Sequence, residues 1–143
     1  MASNKTVFFI IGTLLIILGL FMLVPYGVQI FYKEDSHSFL SSAFITIFIG
    51  VMFVLINLQE EYHLNLKQTF LFSAFSWIAV ALFGSIPFIL SDLDFSFSDS
   101  FFESMSGITT TGSSVITDLE KSPKSILLWR AIMQWLGGVG IIV

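Results

Sequence analysis

The sequence predicts an all-α integral membrane protein, and three observations predict it. Hydrophobic residues make up 55% of the 143 positions and charged residues only 11%, where a soluble domain carries about 25% charged residues. The apolar residues gather in runs of 22 to 27 positions without a formal charge, and about 20 such residues cross a hydrocarbon core as a helix. Mean hydropathy is correspondingly high, at +0.91. Seventeen Phe against 3 Pro exclude a disordered or collagen-like chain, and the absence of Cys excludes a disulfide scaffold, a thiolate zinc site and a cysteine nucleophile. A net charge of −4 speaks against nucleic acid as a partner, because phosphate binding needs clustered Lys and Arg.

The first 27-residue uncharged run, between Lys5 and Lys33, sets a span at about residues 7–30. Lys5 ahead of an apolar run also fits a signal peptide, but the run is too long and VPYGVQI offers no small-x-small cleavage site. Pro25 and Gly27 fall near its end, where interfacial water can meet a broken backbone hydrogen bond. A charged linker containing His37 leads to the second span, at about 39–58. Glu60, Glu61, Tyr62 and His63 form a polar turn, and the third span follows at about 69–91 with Pro87 in its last turn. Short connections make the spans antiparallel neighbours. Residues 1–66 then form a transmembrane hairpin and residues 67–143 a second unit.

In that second unit the pattern changes. The segment FSFSDSFFESMSGITTTGSSVIT, residues 95–117, is rich in Phe yet contains Asp99, Glu103 and a dense run of Ser and Thr, so it cannot face lipid. Phe97, Phe101, Phe102, Met105 and Ile108 recur at helical spacing, with Ser96 or Ser98 as N-cap and Gly107 placed to end the helix. A helix at about 97–107 is only about 15–18 Å long, half a bilayer. The loop 108–114 that follows reads as re-entrant, since irregular backbone at membrane depth is tolerated only inside protein or against water. An extended run through Thr109, Thr110, Thr111, Gly112 and Ser113 can aim carbonyl oxygens at an axis and replace the hydration shell of a cation. A short helix lying at the interface, in a membrane scaffold or assembly protein with no pore, is the alternative. A further span starts at about 125 and stops in mid-run without a charged flank, which reads as a truncated chain.

Charge does not orient these spans by the positive-inside rule. With the amino terminus on the cytoplasmic side, Lys5 and Lys67 lie there and Lys33, Lys121 and Lys124 opposite. Acidic residues are far more lopsided: Glu34, Asp35, Asp92, Asp94, Asp99, Glu103, Asp118 and Glu120 share the half-helix side, where they would attract cations.

FFESMSGITTTGSSV followed by LLWRAIMQWLGGVGIIV resembles the first pore repeat of the Trk/Ktr/HKT cation-transporter superfamily, in its TrkH-type branch. The resemblance covers about residues 69–143, and the first two spans resemble the extra amino-terminal hairpin of that branch. It implies a helix, re-entrant pore loop and helix repeat related to potassium-channel subunits, one of four in a complete polypeptide. Thr110, Thr111, Gly112 and Ser113 then match the T-V-G-Y part of a channel filter, with Thr109 at the helix-to-loop junction. Gly112 stands where some sodium-preferring plant relatives carry serine. The resemblance further implies potassium uptake through a bacterial cytoplasmic membrane, with potassium as substrate and no cofactor. Implied partners are membrane lipid, the missing repeats, a second copy of the subunit and a cytosolic nucleotide-binding regulatory subunit.

Arg130 lies about two turns into the last span, where an ionisable residue is a functional candidate or snorkels to the interface. A pair of Glu103 with Arg130 would brace the half-helix against that span. Asp99 and Glu103, four apart, suit one carboxylate at the aqueous mouth and one facing a partner. No nucleophile or transition-metal constellation accompanies them, so an enzyme is not expected. Gly137, Gly138 and Gly140 suit close helix packing or a hinge, and His37 and His63 suit solvated linkers.

Overall fold

The computed structural model describes residues 4–35, 37–59 and 61–142, so Met1, Ala2, Ser3, Ser36, Glu60 and Val143 lie outside the described residues. The chain forms α1 (Lys5–Phe31), α2 (Ser38–Ile56), α3 (Leu66–Gly84), α4 (Ile86–Ile89), α5 (Phe97–Ile108) and α6 (Lys124–Ile142), with no strand among the described residues. The stretches Lys5–Phe31, Ser38–Ile56 and Leu66–Ile89 are long and apolar enough to cross a membrane.

Glycine sets the packing of the first two helices. A Cβ on Gly12 would lie 2.8 Å from the Gly50 carbonyl oxygen, and one on Gly50 would lie 2.8 Å from that of Gly12, so the two backbones touch. Between membrane helices, where lipid is as apolar as any side chain, such close van der Waals contact replaces the hydrophobic drive. Gly12→Leu should therefore lower the thermal unfolding midpoint of the purified protein, through an overpacking cost of about 1–3 kcal/mol. Gly27→Ala, at a position where a Cβ meets nothing within 4 Å, should leave that midpoint in place.

The third span begins with a capping box: Asn65 Oδ1 accepts from the Gln68 amide at 2.9 Å while Gln68 Oε1 accepts from the Asn65 amide at 3.2 Å. It does not run unbroken to about residue 91. Helix α3 stops at Gly84 because Pro87 has no N–H to offer the Phe83 carbonyl, and the chain restarts as the short α4 after Ser85. The amides of Phe88 and Ile89 both turn to the Ser85 carbonyl, and the Gly84 carbonyl accepts instead from Trp129 Nε1 of α6 at 3.0 Å. Gly84 itself has room for no side chain, since a Cβ there would lie 2.6 Å from Met133 Cε and 2.7 Å from Ser104 Oγ. Helices α3, α5 and α6 converge on this point.

The core follows from that convergence. Trp129, Phe39, Phe88, Met22 and Met133 are fully buried, and the Trp129 and Phe39 rings meet edge to face at 5.9 Å between centroids. Val7, Ile11 and Leu15 of α1 form a second cluster with Ile49, Phe53 and Phe72 around it.

Candidate functional site

Helix α5 starts from Ser96, the cap that the structure selects over Ser98. The Ser96 hydroxyl accepts from the Asp99 amide at 3.2 Å, and the Asp99 carboxylate accepts in return from the Ser96 amide. Asp99 is thus spent on the helix N-terminus, where a carboxylate also suits the dipole. The face that α5 turns inward is small and polar: Ser100, Glu103, Ser104, Ser106 and Gly107 are buried, while Phe97 and Phe102 are exposed. Small residues let α5 lie close against α3 and α6.

Gly107 does not end the helix. It sits inside the last turn, where a Cβ would come within 3.0 Å of Met133 Cβ, and α5 runs on to Ile108 with Thr109 as its C-cap. One residue later the approach is closer still: a Cβ on Gly137 would fall 1.8 Å from the Ile108 carbonyl oxygen. The pairs Glu103 with Arg130, Gly107 with Met133 and Ile108 with Gly137 advance together, so α5 and α6 run parallel. Gly137 lies 13 residues beyond Lys124, or about 20 Å down α6 at the helical rise. The described residues put nothing within 4 Å of a Cβ on Gly138 or Gly140, so only Gly137 of that cluster serves packing among them.

From the bottom of α5 the chain climbs back beside it. Ser106 Oγ donates to the Ser113 carbonyl at 2.6 Å, and Glu103 Oε1 accepts from Ser114 Oγ at 2.5 Å and from the Val115 amide at 2.6 Å. The other carboxylate oxygen of Glu103 accepts from Arg130 Nε at 2.9 Å. Glu103 is 2% exposed, so one buried carboxylate joins α5, the returning loop and α6. Burying this charge is costly, and its three charge-assisted partners offset that cost. Paired with Arg130 and shielded from water, Glu103 adds no net charge to the acidic mouth that its sequence position suggests.

Between these clamps lie the five hydroxyl and glycine residues. The amides of Thr110, Thr111 and Gly112 donate back to the last carbonyls of α5, those of Gly107 and Ser106. Thr110 adopts φ 59° and Gly112 φ 81°, left-handed angles that cost a β-branched residue energy and glycine nothing. The nearest atom to a Cβ on Gly112 would be Gln134 Nε2 at 3.4 Å, an ordinary contact, so the backbone angle and not crowding demands glycine. With the amides turned inward, the carbonyls of Thr109, Thr110, Thr111 and Gly112 accept no hydrogen bond among the described residues, and residues 110–113 are exposed. Thr109 Oγ1 donates to the Met105 carbonyl at 2.6 Å and lies 2.9 Å from Thr111 Oγ1.

Sequence spacing brought Glu103, Arg130 and residues 109–113 into consideration. It places Ser114 in the loop 108–114 but gives no sign of its bond to Glu103, nor of Ser106, and these two hydroxyls hold the returning strand of the loop. Their signal is the serine density of SMSGITTTGSS, which does not say which hydroxyl turns inward. His63 is exposed and pairs locally with Glu61 at 3.1 Å, and His37 is exposed beside α2.

A family model described as TrkH, cation transport protein, matches residues 35–143. The chain is 42% identical over 135 residues to an uncharacterized cation transporter of Methanocaldococcus jannaschii, covering 94% of this chain and 28% of that protein. It is 36% identical over 141 residues to the Trk system potassium uptake protein TrkH of Vibrio parahaemolyticus, covering 97% and 29%. The crystal structure of the potassium transporter TrkH from Vibrio parahaemolyticus superposes with a TM-score of 0.92 at 35% identity, covering 98% of this chain and 30% of that one. The chain therefore spans less than a third of the length of the relatives it matches.

Proposed function

Because the chain belongs to the TrkH family of cation transport proteins, we propose that residues 67–143 form the first pore repeat of a potassium-uptake membrane protein and residues 1–66 a hairpin packed beside it. The loop after α5 is re-entrant and supplies one quarter of a selectivity filter through the carbonyls of Thr110, Thr111, Gly112 and Ser113, with Thr109 at the junction. The observation that carries this reading is the run of carbonyls from Thr109 to Gly112 without donors, while the matching amides are tied to the end of α5. Oxygen atoms so arranged can take the place of a potassium ion's water, and the negative end of the α5 dipole favours a cation below them. The Ser113 carbonyl already accepts from Ser106, which leaves it one lone pair for an ion.

Glu103 and Arg130 act as the support of this loop and do not touch the ion. The exposed loop face, and the exposed Phe97 and Phe102 of α5, fit further repeats of the same polypeptide. A second copy and a cytosolic nucleotide-binding regulatory subunit complete the assembly in the cytoplasmic membrane, with the amino terminus in the cytoplasm. A membrane potential of 100 mV supplies about 2.3 kcal/mol per charge for uptake.

Gly112→Ser in the full-length protein tests the filter. A side chain at φ 81° costs about 1–2 kcal/mol or turns the peptide. The expected result is a loss of preference for potassium over sodium in cation-flux measurements on the reconstituted protein. Unchanged selectivity and rate would overturn the reading.

A further inference from the structure

At the mouth end of the bundle, where the α1–α2 turn, the end of α4 and the start of α6 meet, a cavity of about 30 Å³ is lined by Gln29, Glu34, Ser91, Asp92 and Ser125. That is room for one water molecule or one ion. Gln29 is only 3% exposed. Its Nε2 donates to Ser38 Oγ at 3.1 Å, which fixes the amide, and its Oε1 is buried without a hydrogen-bond partner. A buried oxygen left in that state asks for a ligand that the described residues do not provide.

The Ser91 hydroxyl at the cavity already donates to the Phe88 carbonyl at 2.7 Å, and the donors of Ser125 are likewise taken. Glu34 takes the Ser125 amide at 3.3 Å and the Ser125 hydroxyl, which uses two of the roughly four lone-pair positions of a carboxylate. Asp92 has no hydrogen bond or ion pair among the described residues, and no Lys, Arg or His lines the cavity. An amide oxygen and two carboxylates facing one ion-sized space are the ligand chemistry of a hard cation.

We propose that this cavity binds a hard divalent cation, of which calcium fits best. Two carboxylates match its charge, and calcium accepts mixed carboxylate, amide and water oxygens in irregular geometry. The bound ion would tie the hairpin, through Gln29 and Glu34, to the second unit, through Asp92. It is separate from the loop at residues 109–113, whose Gly112 lies beside Gln134, nine residues beyond Ser125 along α6, and does not depend on the filter reading.

Equilibrium dialysis of radioactive calcium against the purified full-length protein, in excess potassium chloride, tests the site. The expected result is saturable binding that weakens roughly tenfold or more in Gln29→Leu, which removes a ligand oxygen, and in Asp92→Asn, which keeps an amide oxygen but removes the negative charge that calcium favours. Asp92 is exposed and holds no structural contact, so Asp92→Asn folds and decides the matter even where Gln29→Leu is not recovered. No saturable binding, or equal affinity in parent and variants, overturns the proposal. Saturable calcium binding that appears only when the potassium is replaced by an inert organic cation overturns the divalent assignment.

Discussion

Glu103→Leu should abolish rubidium or potassium uptake by the full-length protein. The substitution removes the acceptor shared by Ser114, Val115 and Arg130, and it leaves a guanidinium whose side chain is 16% exposed without its counter-charge. Breaking a buried pair from one side costs about 3–5 kcal/mol, enough to release the returning strand of the loop from α5. Tracer uptake, normalised to the amount of protein in the membrane fraction, reads the effect. Glu103→Gln should be milder, because its amide oxygen can still accept from Ser114 and Val115. A double-mutant cycle with Arg130→Gln separates the pair from its surroundings: the double variant should lose less than the sum of the singles. Independent effects would contradict a bracing role.

Gly137→Val should be nearly as damaging, for a reason of space. A Cβ would fall 1.8 Å from the Ile108 carbonyl oxygen; that oxygen belongs to helix backbone, which cannot swing aside as a side chain can, and a Cβ is fixed by its own helix. Helix α6 must move off the lower end of α5, at an overpacking cost of about 1–3 kcal/mol or more. That end holds the amides of Thr110, Thr111 and Gly112, so the displacement is transmitted to the loop. Flux measurements should show both rate and potassium preference reduced while the protein still reaches the membrane. Gly138→Ala, where the described residues leave open space, should behave like the parent. Equal loss in both variants would point to α6 in general and not to its contact with Ile108.

Much of this arrangement is legible in the sequence because membrane crossing is a local property. A run such as Lys5 to Lys33 declares a span by its lack of charge, and the short helix before TTTG declares itself by Asp99 and Glu103 in a Phe-rich segment. Arg130 stands out in the same way, as a charge without a reason inside α6. Which face of each span turns inward is a different matter. Lipid is as apolar as a neighbouring helix, so the Phe stripe of α5 gives no sign that its serines, and not Phe97 or Phe102, pack inside. The contact between Gly12 and Gly50 and the link from Glu34 to Ser125 join residues that are distant in the chain, and no periodicity announces them. Pro87 was visible, yet the break falls at Ser85 because a proline acts on the carbonyl four residues before it. Gly107 misleads by the same logic: a glycine near a helix end reads as a stop, while here it makes room for Met133.

In the proposed filter the carbonyls between Thr109 and Ser113 meet the transported ion. The most direct measurement is anomalous scattering from the full-length protein crystallised in rubidium or thallium. The expected result is a peak within coordination distance of the Thr110, Thr111 and Gly112 carbonyl oxygens, lost or displaced in Gly112→Ser. A conducting protein whose ion density lies along another path, with this loop facing headgroups or protein, would contradict it.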